Sequence, residues 1–403
     1  MPDNPAKLLR RLNLTLLTLY GIGVTIGAGI YVLIGAVAGH ADKYAPLAFV
    51  MAAVVMGLTV CSYAEMCTRY PVAAGEAAYI KAAFKWRWLS TAVGLLMTAT
   101  GVIAASTVSL GSLGYIAQFT DLPSWIVLIA VVGGLGVVSA WGVLESVLLA
   151  SLFTLIEVSG LVAIIVAALH SGLPFGDSLF AVPELKSGIW LGISFAGLLA
   201  FFAFTGFEDL TNMVEETHSP ERNVPIAMAI TLVVTTLLYT VVAAISVTAI
   251  APKDLAVSHA PLALVFRQVA GISPTVISAI AIVATLNTII AQMTMAVRVL
   301  YGLAQQGDIP KIFGRVNRKT ATPLIATATV ILTVLLCAYI APLEKLAELT
   351  SVGTLLVFAL VNLALLRLRA TQATPRGAIT VPIAVPVLGF CTSVGMIVTG
   401  LFY

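Results

Sequence analysis

Three carboxylic acids lie inside long apolar segments of the sequence. Glu157 falls within LLASLFTLIEVSGLVAIIV, and Glu208 and Asp209 follow a glycine in FFAFTGFED. Carboxylates are costly inside a membrane, so they usually mark a cavity, a partner or a helix end. A carboxyl group removed from water favours its protonated form, which makes Glu157 a candidate for proton coupling or for attracting a cationic substrate. The alternative is a pairing with Arg298 or with a backbone group.

A glycine-rich stretch in the first apolar segment is the second candidate. Residues 21–30 read GIGVTIGAGI, with four glycines. Each glycine weakens a helix by about 1 kcal/mol relative to alanine, so a break is expected here. The N–H groups that a break exposes, at about residues 27–30, can hold an anion such as a carboxylate. Close helix packing through Gly23 and Gly27 is the alternative.

The segment before Glu208 predicts a matching break. Its freed carbonyl groups, at Phe202, Ala203 and Phe204, can accept hydrogen bonds from an ammonium group. Paired broken helices are the best sequence indicator of a binding site at the membrane centre of a transporter. The two breaks together would suit a zwitterion.

The composition indicates which elements carry these residues. Lys and Arg number 21 and Asp and Glu 18 among 403 residues, and 60% of the chain is hydrophobic. Typical soluble domains carry roughly 25% charged residues, so the composition predicts an all-α polytopic membrane protein. Its apolar runs, of about 20 residues, are typical of spanning helices and exclude an outer-membrane β-barrel.

Eleven spans are predicted, with boundaries uncertain by about 2 to 4 residues. They lie at 13–38, 46–68, 88–118, 124–141, 145–169, 188–215, 223–250, 274–304, 321–340, 345–368 and 379–402. If residues 13–169 and 188–368 are five-helix inverted repeats, the two breaks fall in corresponding spans of a single transporter domain, and 379–402 is an additional helix. Residues 69–87 predict a short amphipathic cytoplasmic helix, and 251–273 a helical lid outside.

The basic residues are sorted by membrane side. With a cytoplasmic amino terminus, 16 of the 21 Lys and Arg residues lie inside, which the positive-inside rule favours. The inner set is Lys7, Arg10, Arg11, Arg69, Lys81, Lys85, Arg87, Arg222, Arg298, Lys311, Arg315, Arg318, Lys319, Arg367, Arg369 and Arg376. With eleven spans the carboxyl terminus lies outside. We expect a multi-pass protein of the cytoplasmic (inner) membrane, in contact with lipid.

Several function classes are disfavoured. The four cysteines and four histidines form no ligand spacing for zinc, and a net charge of +3 gives no reason to expect nucleic-acid binding. The sequence contains no HExxH motif, phosphate-binding loop or Ser/His/Asp spacing, so an enzyme or an ATP-driven pump is not expected. A sensor without transport would normally need an added signalling domain and is a less favoured alternative.

Five segments together resemble the amino acid–polyamine–organocation (APC) superfamily of amino acid permeases. They are GIGVTIGAGIYVLIG, SYAEMCTRYPVAAGEAAYIKAAF, FFAFTGFEDLTNMVEETHSPERNVPIA, AVRVLYGLAQQGDIPKIFGRVN and ATPLIA, in this order over most of residues 13–330. The resemblance implies the five-plus-five inverted-repeat fold named for LeuT, with alternating access around spans 1 and 6. The superfamily commonly has twelve spans, whereas eleven are predicted here, so the last span of the superfamily's pattern is expected to be missing.

The resemblance also implies substrate contacts. The carboxylate of a substrate would meet the break in span 1, and its amine would meet the break in span 6. The implied binding residues are Thr25, Ile26, Gly27, Ala28, Gly29, Phe202, Ala203, Phe204, Thr205 and Phe207. Phe204 or Phe207 would close over the substrate as a gate, and simple packing is the alternative role for both.

Span 5 departs from the pattern of the superfamily. Related permeases often carry lysine at the position of Glu157, and in some of them that lysine replaces a sodium ion between spans 1, 5 and 8. Because a carboxylate cannot imitate a cation, gating by a sodium-like lysine is not expected here. A proton gradient is expected, with sodium as the less favoured alternative and no other cofactor. The coupling candidates are Glu157, Glu208, Thr285 and Asn287, with Thr288 beside them. The span 8 residues could instead bond along or between helices.

The sequence therefore predicts a secondary transporter of a small amino acid, working by proton symport or exchange. An amine or polyamine carrier, with Glu157 or Glu208 as counter-charge, is the alternative. The oligomeric state stays open.

Overall fold

A computed structural model describes residues 10, 12–71, 75–141, 147–317, 320, 322–375 and 377–402, with only the backbone of 147–149. Five basic residues used to predict the orientation lie outside this part of the chain. They are Lys7, Arg11, Arg318, Lys319 and Arg376.

The described chain is nearly all helical. Its α-helices are α1 (Leu14–Ile26), α2 (Gly29–Ala41), α3 (Ala45–Arg69), α4 (Gly75–Phe84), α5 (Arg87–Ile116), α6 (Ser124–Trp141), α7 (Val147–His170), α8 (Gly176–Leu179), α9 (Ser187–Phe202), α10 (Pro220–Ala249), α11 (Pro252–Val257), α12 (Pro261–Ala270), α13 (Thr275–Gln305), α14 (Leu324–Ile340), α15 (Leu343–Thr371) and α16 (Ala384–Leu401). Three 3₁₀ helices lie at Asp42–Tyr44, Phe207–Glu216 and Lys311–Gly314.

Nine helices in the described part are at least 18 residues long and apolar enough to cross a membrane. The eleven predicted spans exceed this number for two reasons. The run Gly29–Arg69 is helical throughout, so it joins the second half of span 1 to span 2, and the 17 residues of α14 make that helix slightly too short. Every predicted span still coincides with a helix or with a broken pair of helices. The polytopic all-helical class is confirmed.

Spans 1 and 6 are broken where the glycines predicted. Span 1 divides into α1 and α2 at Gly27 and Ala28, and span 6 changes from α9 to a 3₁₀ helix after residues 203–206. The predicted helix within residues 69–87 is α4, and the predicted lid contains α11 and α12.

The broken helices lie in the middle of the bundle. Helix α1 packs against α7 and α10, and α2 packs against α9. Helix α9 also packs against α3 and α15. Because the breaks are surrounded by other helices, the backbone groups that they release must be satisfied by protein, by enclosed water or by a ligand.

An ion-pair cluster fixes the ends of α3 and α15 at the side where α1 begins, which we call the inner end. Glu65, whose side chain is fully buried, accepts from Nε of Arg69 at 2.8 Å and from Nε of Arg369 at 2.9 Å. It also accepts from the backbone N–H of Val381 at 2.9 Å, just before α16.

Candidate functional site

The break in span 1 leaves backbone donors uncovered. Gly27 has φ +32°, which a side chain would strain, and its N–H still donates to Gly23 at 2.9 Å. The N–H of Ala28 donates to Oγ1 of Thr288 at 2.9 Å. Among the described residues, none accepts from the N–H groups of Gly29 and Ile30, which begin α2. Free backbone donors therefore lie at a helix N-terminus, at the position where the sequence predicts an anion cradle.

The break in span 6 depends on Gly206, whose φ of +116° favours glycine. The N–H of this glycine donates to Oε2 of Glu208 at 2.8 Å, so the carboxyl caps the 3₁₀ helix that follows. The carbonyl of Phe202 is taken by the N–H and the hydroxyl of Thr205, at 3.2 and 2.7 Å. Phe202 is thus less available to a ligand than the sequence suggested.

Tyr239 of α10 connects the two breaks. Its hydroxyl lies 2.9 Å from the carbonyl oxygen of Thr25 and 2.8 Å from that of Ala203, with Ile26 O at 3.3 Å. One hydroxyl can donate only one proton at a time, so these acceptors share a single donor. The released carbonyls of both breaks consequently converge on one point.

The two breaks also touch directly. A Cβ atom added to Gly29 would lie 2.5 Å from Cα of Ala203, closer than real Cβ contacts allow. Donors from the start of α2 and acceptors from the end of α9 are therefore neighbours. This is the arrangement that binding both ends of a zwitterion requires.

Glu157 lies beside the first break, between α2 and α13. It is fully buried, and Oε1 accepts from Nδ2 of Asn287 at 3.0 Å. Its second oxygen, Oε2, has no hydrogen-bond partner in the described chain. The Glu157 backbone carbonyl accepts from the hydroxyl of Tyr31 at 2.6 Å. The carboxyl group thus meets an amide and keeps one oxygen open to a proton or a cation.

The other span 8 candidates have different surroundings. Thr288 contacts the break itself through Ala28. Thr285 is buried and donates along its own helix to Ile282 at 2.8 Å, which fits the alternative of bonding along the helix.

A small cavity of about 20 Å³, room for a single water molecule, lies toward the inner end from the second break. Its lining residues are Met97, Thr100, Ala104, Thr205, Glu208, Asp209, Gln292, Met295, Thr350 and Thr354. Thr205 and Glu208 of the predicted set reach this cavity, whereas Gly27, Ala28 and Gly29 do not. Glu76 of α4 lies nearby, and burial raises the pKa of that carboxyl above its usual range.

The two candidate gate residues are both packed. The ring of Phe204 lies 5.0 Å from that of Tyr239, edge to face. Phe207 lies 5.4 Å from both Tyr63 and Phe358 in the same manner. Neither ring lines the cavity, so a gating role would require these aromatic contacts to break.

The broken helices are tied at both ends. At the outer end, His40 of α2 pairs with Glu344 of α15. At the inner end, the backbone of Leu12 exchanges hydrogen bonds with the chain after the 3₁₀ helix, accepting from His218 at 2.9 Å and donating to Glu216 at 3.0 Å.

Tyrosines are the functional residues that the sequence reasoning missed. Tyr239 spans the breaks, Tyr31 holds Glu157, and Tyr115 donates to the carbonyl of Tyr31 at 2.6 Å. All three are buried within apolar helices. A buried tyrosine hydroxyl needs a hydrogen-bond partner. Tyrosines within apolar spans were therefore the sequence feature that could have identified these residues.

Comparison with known proteins agrees with this architecture. The amino acid permease family matches residues 12–403. The chain is 27% identical over 393 residues to the vacuolar cationic amino acid transporter 4 of Arabidopsis thaliana, covering 91% of this chain and 64% of that protein. It is 28% identical over 417 residues to the branched-chain amino acid permease BcaP of Bacillus subtilis, covering 95% and 85%. The methylthioribose transporter of the same bacterium is 26% identical, covering 96% and 87%.

The contact between the breaks predicts that replacement by alanine changes stability very differently at two glycine positions. Gly29→Ala places a methyl group against the backbone of Ala203, and we expect a loss of about 1–3 kcal/mol in stability. Gly133→Ala, in α6, meets open space and should leave stability unchanged or slightly raised. Thermal unfolding of the detergent-purified variants measures both, and equal unfolding midpoints would contradict the contact.

Proposed function

The chain belongs to the amino acid permease family, and on that premise we propose that it is a secondary transporter that binds an amino acid at the two helix breaks. Family membership also makes it a transport protein rather than an enzyme. The observation that carries the proposal is the contact of Gly29 with Ala203, which brings free backbone donors beside backbone acceptors.

The proposed substrate contacts follow from charge. The substrate carboxylate accepts from the N–H groups of Gly29 and Ile30, at the positive end of the α2 dipole. The ammonium group donates to the carbonyls of Thr25 and Ala203, the acceptors that Tyr239 otherwise holds. An ammonium has three donors and a phenol has one, so the exchange satisfies more acceptors.

The packing supports the proposed inverted repeats of residues 13–169 and 188–368. In the first half, α1 packs on α7, the fifth span; in the second, α9 packs on α15, the tenth. Across the halves, α1 packs on α10 and α9 on α3, each the second span of the other half. Alternating access would then release the end ties in turn, with His40–Glu344 opening on one side and the Leu12 pairing on the other.

For orientation, we propose that the inner end faces the cytoplasm. The inner-end basic residues of the described chain include Arg69, Lys81, Arg87 and Arg369, in keeping with the positive-inside rule. The membrane in question is proposed to be the cytoplasmic membrane, although the matching transporter of Arabidopsis is vacuolar.

For coupling, we propose that a proton on Glu157 accompanies the substrate. The support is the unpartnered Oε2 in a buried position, since an ionised carboxylate there would lack the hydrogen bonds that offset its desolvation. Proton uptake neutralises the group. Asn287 holds the carboxyl, and Tyr31 holds the backbone carbonyl of the same residue near the first break.

A cationic substrate is the second candidate, favoured by one observation. Glu208 and Asp209 line the cavity next to the second break, with no basic residue in that lining. A positively charged side chain, or an amine that lacks a carboxylate, could place its charge there. The relatives include both cationic and branched-chain amino acid carriers by name, so both substrate classes belong in the test.

Ligand-dependent stabilisation of the purified protein tests the proposal. Neutral, acidic and basic amino acids are compared with matching amines that lack the carboxylate. A true ligand at 100 times its Kd adds about 2.7 kcal/mol, which thermal unfolding detects readily. We expect stabilisation by amino acids and none by the amines. Stabilisation by amines alone would favour the amine carrier, and no stabilisation by any compound would contradict a substrate site at the breaks.

Glu157→Gln tests the coupling. The amide keeps the size and the partner Asn287 but cannot exchange a proton. In liposomes, uptake by the parent should rise as the external pH falls, whereas uptake by the variant should not change with pH. Glu184→Gln, on an exposed loop beside Lys186, is the matched control and should keep the pH dependence of the parent. A pH response in Glu157→Gln equal to that of the control would exclude this proton carrier.

A further inference from the structure

A second cavity, which we call the basic cavity, lies at the inner end, away from both helix breaks. Its volume is about 460 Å³. It is formed by α4, the start of α5 and the residue after α13, through Ala77, Ala78, Lys81, Arg87, Ser90 and Gln306. None of these residues has a role in the proposed transport site.

The basic cavity carries positive charge that the protein only partly neutralises. Arg87 pairs with Asp308 at 2.5 Å, and its Nη2 donates to the Gln306 carbonyl at 2.7 Å. These contacts use two of the five guanidinium donors, and the side chain of Arg87 remains 67% exposed. Lys81 is exposed and forms no ion pair with the described residues. Two cations, Lys81 and Arg87, therefore line the cavity, and Asp308 pairs with only one of them.

Two tryptophans place the basic cavity at the membrane surface. Trp86 and Trp88 flank Arg87 in the sequence and are 49% and 66% exposed. Their rings stack with centroids 6.0 Å apart and planes 17° apart. Exposed tryptophans at the end of a spanning helix favour the lipid headgroup layer. The cavity thus combines cations, an uncharged amide and an adjacent apolar surface at headgroup depth.

We propose that the basic cavity binds the phosphate headgroup of an anionic phospholipid. Lys81 and the unused donors of Arg87 contact the phosphate oxygens, and the side-chain amide of Gln306 contacts the polar remainder of the headgroup. Basic pockets between helices at one membrane face are suited to such headgroups. A free phosphate ion shares this chemistry, but only a lipid also uses the exposed surface of Trp86 and Trp88. A bound lipid would hold α4 against the ends of α5 and α13.

Lipid binding to the delipidated full-length chain tests the proposal. Native mass spectrometry would measure the affinity for phosphatidylglycerol, which is anionic, against phosphatidylcholine, which is zwitterionic. Lys81→Gln removes one cation and breaks no described hydrogen bond or ion pair, so folding should survive. The loss of about 1 kcal/mol per surface cation predicts roughly fivefold weaker binding of phosphatidylglycerol. Arg87→Gln should weaken it further.

The control is Arg222→Gln, an exposed cation at the same end of the bundle but outside the basic cavity. It should bind phosphatidylglycerol as the parent does. Equal losses in Arg222→Gln and Lys81→Gln would mean that the lipid responds to the general surface charge, and this would overturn the site. Equal affinity of the parent for phosphatidylglycerol and phosphatidylcholine would also overturn the site. Inorganic phosphate is the third probe. If phosphate stabilised the protein in a Lys81-dependent way while phosphatidylglycerol did not bind, the ligand would be a soluble anion, and this would contradict the proposal.

Discussion

Backbone groups released inside an apolar helix bundle must find partners, and this constraint shapes the centre of the protein. Two helices break at the same depth, where lipid cannot satisfy their free carbonyls, so protein, enclosed water or a ligand must do so. The Tyr239 hydroxyl reaches Thr25 on one side and Ala203 on the other, so a single side chain supports both breaks. Oγ1 of Thr288 accepts from the N–H of Ala28 and so satisfies one donor that the first break releases.

The backbone groups that remain without a protein partner account for the proposed function. The donors of Gly29 and Ile30 and the acceptors around Tyr239 are opposite in sign and adjacent, because no side chain separates Gly29 from Ala203. A ligand with both a carboxylate and an ammonium group completes what the protein leaves open. Glu157 lies beside the same break with one free oxygen, so its protonation and the occupancy of the site share one small region.

Much of the architecture could be predicted from composition and from glycine. The long apolar runs fixed the helices, and the glycines of residues 21–30 and Gly206 located both breaks. The 3₁₀ form of residues 207–216 and the capping of Gly206 by Glu208 were not predictable, since they depend on local hydrogen bonds. The role of Tyr239 was not predictable either, because its hydrogen-bond partners Ala203 and Thr25 lie 36 and 214 residues away in the chain. The substrate contacts and the coupling role of Glu157 stay predictions.

Tyr239→Phe tests the central claim most directly, because it removes only the hydroxyl that joins the breaks. The carbonyls of Thr25 and Ala203 would lose their shared donor, and the unfolding free energy of the ligand-free protein should fall by about 1–3 kcal/mol. An amino acid that binds should restore part of this loss through its ammonium group. Tyr339→Phe, at a side chain that is 87% exposed, should unfold as the parent does. Unfolding midpoints that are the same for both variants, with and without the amino acid, would contradict the account.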